Sequence, residues 1–266
     1  MEPKEWVGKS NESEFLLDQN IMQHIEDKMG RDGFIIEKGD ELNRYGHWFY
    51  TIDDKQFLDD LSGPGFENHS FYWHSGRIEY ASSLILGNKY KRTVQIRDVK
   101  KIGEEDSGFL ITLGIKIRFG RKIAVEEEQT ILFTEHIDGH QNLRRIDFEP
   151  DWSQEVKLEE INTLLNLNGR MFGNPVTDVL IKTNHKPKNG LEMQGPASLI
   201  LLFESFMYHF ESRNIDRLTY KLHAYSGEGQ LSIAGRDTDA FVTSLRLINS
   251  RRQVLCSLEV RWSYNW

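Results

Sequence analysis

The run that most constrains this chain begins at Gly195-Pro196 and continues through Ala197-Ser198 into a largely apolar stretch ending at Phe210. Gly195 fits an N-cap and Pro196 the first helical position, where a missing N–H costs nothing, so the spacing predicts a helix starting there. Leu199, Ile200, Leu201, Leu202, Phe203, Phe206, Met207, Tyr208 and Phe210 make it apolar on nearly every side. Only Glu204, His209 and Glu211 remain for a wet strip, so such a helix must be wrapped by other structure. It is too short, and too polar at both ends, to cross a membrane. Its opening turn aims unpaired backbone N–H groups at whatever precedes it, and those groups favour a carbonyl oxygen or an anion. A plain core helix explains the same residues.

Two sets of alternating segments are available to do the wrapping. Phe71–Glu79, Lys89–Lys101, Gly108–Phe119 and Ile123–Phe133 alternate apolar and polar residues and read as a meander of antiparallel strands. Leu218–Ala224, Gly229–Asp237, Ala240–Asn249 and Gln253–Tyr264 read as a second meander. Residues 12–30 are predicted helical with Gly30 as a stop, Gly46–Tyr50 is predicted to be an aromatic strand, and a polar connection runs from His136 to Glu159. The chain therefore divides into residues 1–135, a connection over 136–159, and residues 160–266. A helix held in the palm of an antiparallel sheet is an α+β arrangement, and two such units side by side pair their edge strands.

The formal charge of −8, with 33 basic against 41 acidic residues, argues against a surface built for nucleic acid. The one cysteine, Cys256, sits in an apolar run and reads as a structural thiol in a reducing compartment. The opening residues lack the apolar core of a signal peptide, and the expectation is a soluble cytoplasmic protein. Metal-binding motifs are missing. His136 and His140 flank Asp138-Gly139, which reads as a turn, so no metal or cofactor is expected. Ser226-Gly227-Glu228-Gly229 reads as a hairpin, not a phosphate cradle. His47 and His74 lie beside aromatic residues and are expected to pack with a ring nitrogen hydrogen-bonded, while the Trp73 stretch offers an aromatic wall for an apolar substrate.

Several stretches resemble one family in order and spacing. Trp6-Val7-Gly8-Lys9-Ser10, Trp73-His74-Ser75-Gly76-Arg77-Ile78, Leu86-Gly87 with Arg92-Thr93, Glu127-Glu128-Gln129-Thr130-Ile131, and Gly190-Leu191-Glu192-Met193-Gln194-Gly195-Pro196 are similar to segments of the MaoC-like acyl-thioester hydratases and dehydratases. The resemblance is to their double hot-dog branch, and it implies two hot-dog units in one chain with the site in the second. The segment similar to that family's catalytic stretch is Asn166-Leu167-Asn168-Gly169-Arg170-Met171-Phe172-Gly173. Asn168 falls on the family's Asn, Arg170 and Gly173 stand where it has His, and Gln194 replaces the His before Gly195-Pro196.

Adding or removing water across an activated double bond needs a group that exchanges a proton near neutral pH, and Arg stays charged in any ordinary site. Asn168, Arg170, Gln194 and the Gly195 N–H are suited instead to holding a carbonyl or oxyanion. The resemblance implies Asn168 and Arg170 as catalytic residues, with Gln194, Gly195, Trp73 and the loop residue His185 binding substrate. The expected function is a lyase-type reaction, whether dehydration, hydration or cyclisation, on an acyl thioester carried by CoA or a carrier protein, or on a related carbonyl compound. The alternative is a non-catalytic hot-dog protein that binds a ligand or stabilises an active partner. Neither reading calls for a cofactor, a nucleic acid or a membrane, and both a monomer and a homodimer are compatible with two units in one chain.

Overall fold

The computed structural model describes residues 3–28, 33–50, 57, 69–102, 108–135, 143–157, 191–192, 195–210, 213–224, 226–227 and 230–264. After a 3-10 turn at Pro3–Trp6, strand β1 (Ser10–Leu16) leads to helix α1 (Gln19–Lys28) and a second 3-10 turn at Gly46–Tyr50. Four long strands follow: β2 (Ser70–Tyr80), β3 (Lys89–Ile102), β4 (Gly108–Phe119) and β5 (Lys122–Thr134). The second half comprises β6 (Trp152–Glu155), β7 (Leu191–Glu192), α2 (Gly195–His209), β8 (Arg213–Leu222), β9 (Ser226–Gly227), β10 (Leu231–Asp239), β11 (Val242–Asn249) and β12 (Val254–Tyr264). No helix among the described residues is long and apolar enough to cross a membrane.

Ten strands form one antiparallel sheet in the order β1-β3-β4-β5-β2-β8-β12-β11-β10-β6. The order is nearly a mirror image about the β2–β8 seam. On each side, the strand that opens a set of four sits at the centre and the other three run outward from last to first. A short strand from before each set forms the outer edge, β1 against the first half of β3 and β6 against residues 232–235 of β10.

This corrects the predicted meanders. Strand β2 lies beside β5, not β3, because residues 81–88 do not close a hairpin; Leu42 N donates to Leu84 O at 2.7 Å and Leu86 N to Asp40 O at 2.9 Å. Likewise β8 and β10 are not a hairpin. Ser226–Gly227 pairs with Leu191–Glu192 just ahead of α2, and β8 takes β12 and β2 as its neighbours.

Three further expectations are revised. Residues 10–16, partly within the predicted helix, form a strand in register with β3 from Ser10↔Gln95 to Leu16↔Lys89, and Lys91 bridges Glu12 at 2.6 Å. Helix α1 starts only after Asp18, whose Oδ1 accepts from the Asn20 amide at 2.9 Å as an N-cap. Gly46–Tyr50 is not a strand, since all five residues are buried and Trp48 N closes a turn on Tyr45 O at 3.1 Å. The connection also carries β6, which pairs with β10.

Helix α2 matches the sequence reading. Leu199, Ile200, Leu202, Phe203 and Phe206 are buried, and the helix packs against β12, β11 and β2. Each such side chain contributes about 1.5–3 kcal/mol relative to exposure. Tyr208, counted among the apolar residues, points out instead, 77% exposed. Ser205 Oγ donates to Gln154 Oε1 at 2.9 Å, tying the helix to edge strand β6.

Candidate functional site

A cleft of about 600 Å³ opens between the first half and the latter part of α2. One wall comes from residues 41–45, held against residues 84–86 by the backbone bonds above and by a Glu41↔Ile85 bridge. The other comes from Phe203, Glu204 and Met207 of α2 and from Asn214 at the start of β8. Tyr45 is fully buried, edge-on to Phe49 at 5.8 Å and to Phe203 at 5.2 Å.

The Tyr45 hydroxyl donates to Glu204 and lies 3.4 Å from Asn43 Nδ2, which also donates to the buried Glu26 at 3.1 Å. A carboxylate–phenol–amide–carboxylate chain thus runs from α1 to α2. The sequence placed Glu204 merely on the wet strip of the helix. A lone acid in the middle of an otherwise apolar helix was the available signal.

The cations around this cleft already have partners. Arg44 donates to Asn214 Oδ1 at 3.0 Å and lies 5.0 Å from the Tyr80 ring. Arg213 is held between the Phe210 and Trp262 rings at 3.7 and 3.5 Å and donates to Asp237 and Thr243. Glu204 is half-buried, with the Tyr45 hydroxyl as a hydrogen-bond donor and the apolar wall of Phe203 and Met207 beside it.

Of the sequence-predicted site residues, Gly195 opens α2, immediately after the β7–β9 pair. Nine residues at 1.5 Å each put it about 13 Å along the helix from Glu204. Trp73 is buried in the seam, packed edge-on with Trp48 at 5.3 Å and stacked with Tyr220 at 6.0 Å. Asn168, Arg170, His185 and Gln194 lie outside the described residues, as do His136 and His140.

A second buried polar group sits where the halves meet. Of the acidic run, Glu127 is buried, while Glu126 and Glu128 meet Arg97 on the surface. Glu127 contacts His47 Nε2 and the Tyr220 hydroxyl, each at 3.3 Å. His47 Nδ1 is 2.9 Å from Arg44 O, so that nitrogen carries a proton, and the Nε2 contact needs a second one between imidazole and carboxylate. Burial, with Glu127 nearby, pushes the Tyr80 and Tyr220 phenols well above their usual range, so both stay protonated.

No family model and no curated protein sequence matches the chain. Among solved structures, HtdX of Mycobacterium tuberculosis superposes with a TM-score of 0.64 at 12% identity, over 96% of this chain and 100% of that one. A MaoC-like dehydratase from Phytophthora capsici gives 0.66 at 9% identity, over 99% and 98%. An acyl-ACP thioesterase from Bacteroides thetaiotaomicron gives 0.55 at 8% identity, over 96% and 98%. The fold is a double hot dog. At these identities the likeness establishes the architecture and leaves the reaction open. Within the double hot dog, α2 is the helix swaddled by the second set of strands, and β2–β8 is the seam between the two sets.

Proposed function

We propose that this double hot-dog chain is an enzyme of lyase type, dehydrating, hydrating or cyclising an acyl thioester or related carbonyl compound without a cofactor. One observation carries the reading: a buried apolar helix opening on Gly195-Pro196 within a sheet arrangement shared with MaoC-like dehydratases. An acyl-ACP thioesterase of the same architecture supports the thioester as ligand class. On this reading residues 160–266 carry the site. Asn168 and Arg170 polarise the carbonyl, the Gly195 N–H and Gln194 amide share its developing charge, and Trp73 backs the substrate wall. His185 is the nearest imidazole in sequence to this segment and is assigned to the substrate. The lone cysteine, Cys256, is buried and supports a reducing, cytoplasmic setting.

The test is turnover of 2-enoyl and 3-hydroxyacyl thioesters, presented on CoA and on a carrier protein, by the whole chain and by Arg170→Ala. Loss of about a hundredfold or more in kcat/KM is expected if Arg170 stabilises the transition state. Full turnover by Arg170→Ala sinks this site.

A second reading has its own support. Arg170, Gly173 and Gln194 occupy positions where the resembled family has His, and none of them moves a proton near neutral pH. A non-catalytic protein that binds a ligand or steadies an active partner needs none. Inactivity of the purified chain, together with tight association with a His-containing homologue, selects it.

A further inference from the structure

The outer face of the sheet, turned away from α2, carries a row of donors across the seam. Tyr220 and Leu222 turn into the core, so Lys221 between them faces outward. Lys221 lies opposite Ser75 of β2 on one side and Ser257 of β12 on the other, and Ser257 lies opposite Arg246 of β11. Thr130 of β5 extends the row beyond Ser75. Hydroxyl, hydroxyl, ammonium, hydroxyl and guanidinium therefore alternate along five adjacent strands, with no acid among them.

Two imidazoles border the row. His223 Nε2 contacts Ser257 Oγ at 3.1 Å, His74 Nδ1 contacts Ser75 Oγ at 3.1 Å, and Arg246 spans to the Phe148 ring of the connection at 5.5 Å. Burial, then Lys221, Arg246, His74 and Arg144, push the His223 imidazole down to about 4, and every charged neighbour acting on it is cationic. The next row along the strands differs. There Glu128 faces Arg77, and Thr219 faces Glu259, so charge is mixed. In a chain of net charge −8, a same-sign cluster on one short row gains most when an anion neutralises it.

We propose that this row is a binding site for a phosphate-bearing anion, a diphosphate bridging Lys221 and Arg246 over Ser257, with Ser75 at one end. The two cations stand on strands two apart, about 10 Å between backbones, a span that their long side chains close onto one diphosphate. The site is independent of the reaction assigned to the Gly195 end of α2, and it uses residues from both halves.

The test is calorimetric titration of the full chain with inorganic diphosphate and with ADP, alongside NMR titration of the histidine ring protons. Lys221→Glu and Arg246→Glu are each expected to weaken diphosphate binding by about tenfold or more. Arg261→Glu, on the same face but outside the row, is expected to leave binding unchanged. The His223 titration midpoint is expected to rise when diphosphate is bound. Tighter binding of ADP assigns a nucleotide-borne source, and equal binding assigns the free anion. Binding absent at millimolar diphosphate, or weakened as much by Arg261→Glu as by Lys221→Glu, overturns the proposal.

Discussion

Tyr220 of the second half gives its phenol hydrogen to Glu127 of the first, 3.3 Å away across the central seam. Both groups are buried, and His47 closes the other side of the carboxylate at 3.3 Å. Glu127→Ala strips two buried partners at once and is expected to destabilise the fold by about 3–5 kcal/mol. Tyr220→Phe removes a single hydrogen bond and is expected to cost about 1–3 kcal/mol. Urea unfolding compares the two, and equal losses would mean that Glu127 is not the hub of this group.

Gly76 is what lets Tyr220 reach Glu127. A Cβ at residue 76 would collide with the Tyr220 phenol and the Glu128 carbonyl, and these cannot both yield within a paired seam. Gly76→Ala is expected to destabilise by about 1–3 kcal/mol, and the double variant with Tyr220→Phe by less than the sum. Additive losses in denaturant unfolding would dissociate the glycine from the tyrosine.

Phe206 is wholly enclosed by the sheet around α2. Phe206→Ala is expected to lose about 3–5 kcal/mol, whereas Tyr208→Ala, on the exposed side of the same helix, is expected to change stability by no more than about 0.5 kcal/mol. Thermal melts of the two variants check the assignment of the faces.

Stability should depend on pH through His223. Its folded value is depressed to about 4, below the ordinary imidazole value of 6.5, so the unfolded chain binds the proton more readily. The contribution is fully present above pH 6.5 and is lost as pH falls from 6.5 towards 4. Between pH 7 and 5, His223→Gln is expected to lose less in Tm than the unsubstituted chain. A steeper fall in the variant contradicts the cationic surroundings assigned to this imidazole.

Burial pushes the Cys256 thiol up to about 12, which leaves almost no thiolate at neutral pH. Modification by a thiol-specific reagent should therefore await unfolding and follow its rate. Rapid labelling of the native chain would show that β12 opens readily.

The elements legible in the sequence were those whose signals are local. The swaddled helix starts at Gly195 as its Gly-Pro opening and the apolar run after it require, and eight long strands lie close to where alternation put them, the largest offset being β8, which starts at Arg213 and not at Leu218. Segments with mixed signals were misread. Residues 10–16 alternate weakly, and only their pairing with β3 makes them a strand. The aromatic run Gly46–Tyr50 is buried on every side and so takes a turn that no period of two describes. The candidate cleft was nearly invisible in sequence, since Tyr45 and Glu204 stand 159 residues apart and neither belongs to a recognisable motif.

Composition, periodicity and capping chemistry by themselves determined that an apolar helix starts at Gly195-Pro196 and must be enclosed, and that two sets of alternating strands were available to enclose it, because a helix apolar on nearly every side is stable only out of water. Which strand lies beside which, that β2 and β8 form the seam, and that Glu127, His47 and Tyr220 share a buried site were decided only in three dimensions. Hydrogen bonding between strands is satisfied equally well by many orders. Only the packing of side chains brought together from distant parts of the chain selects one.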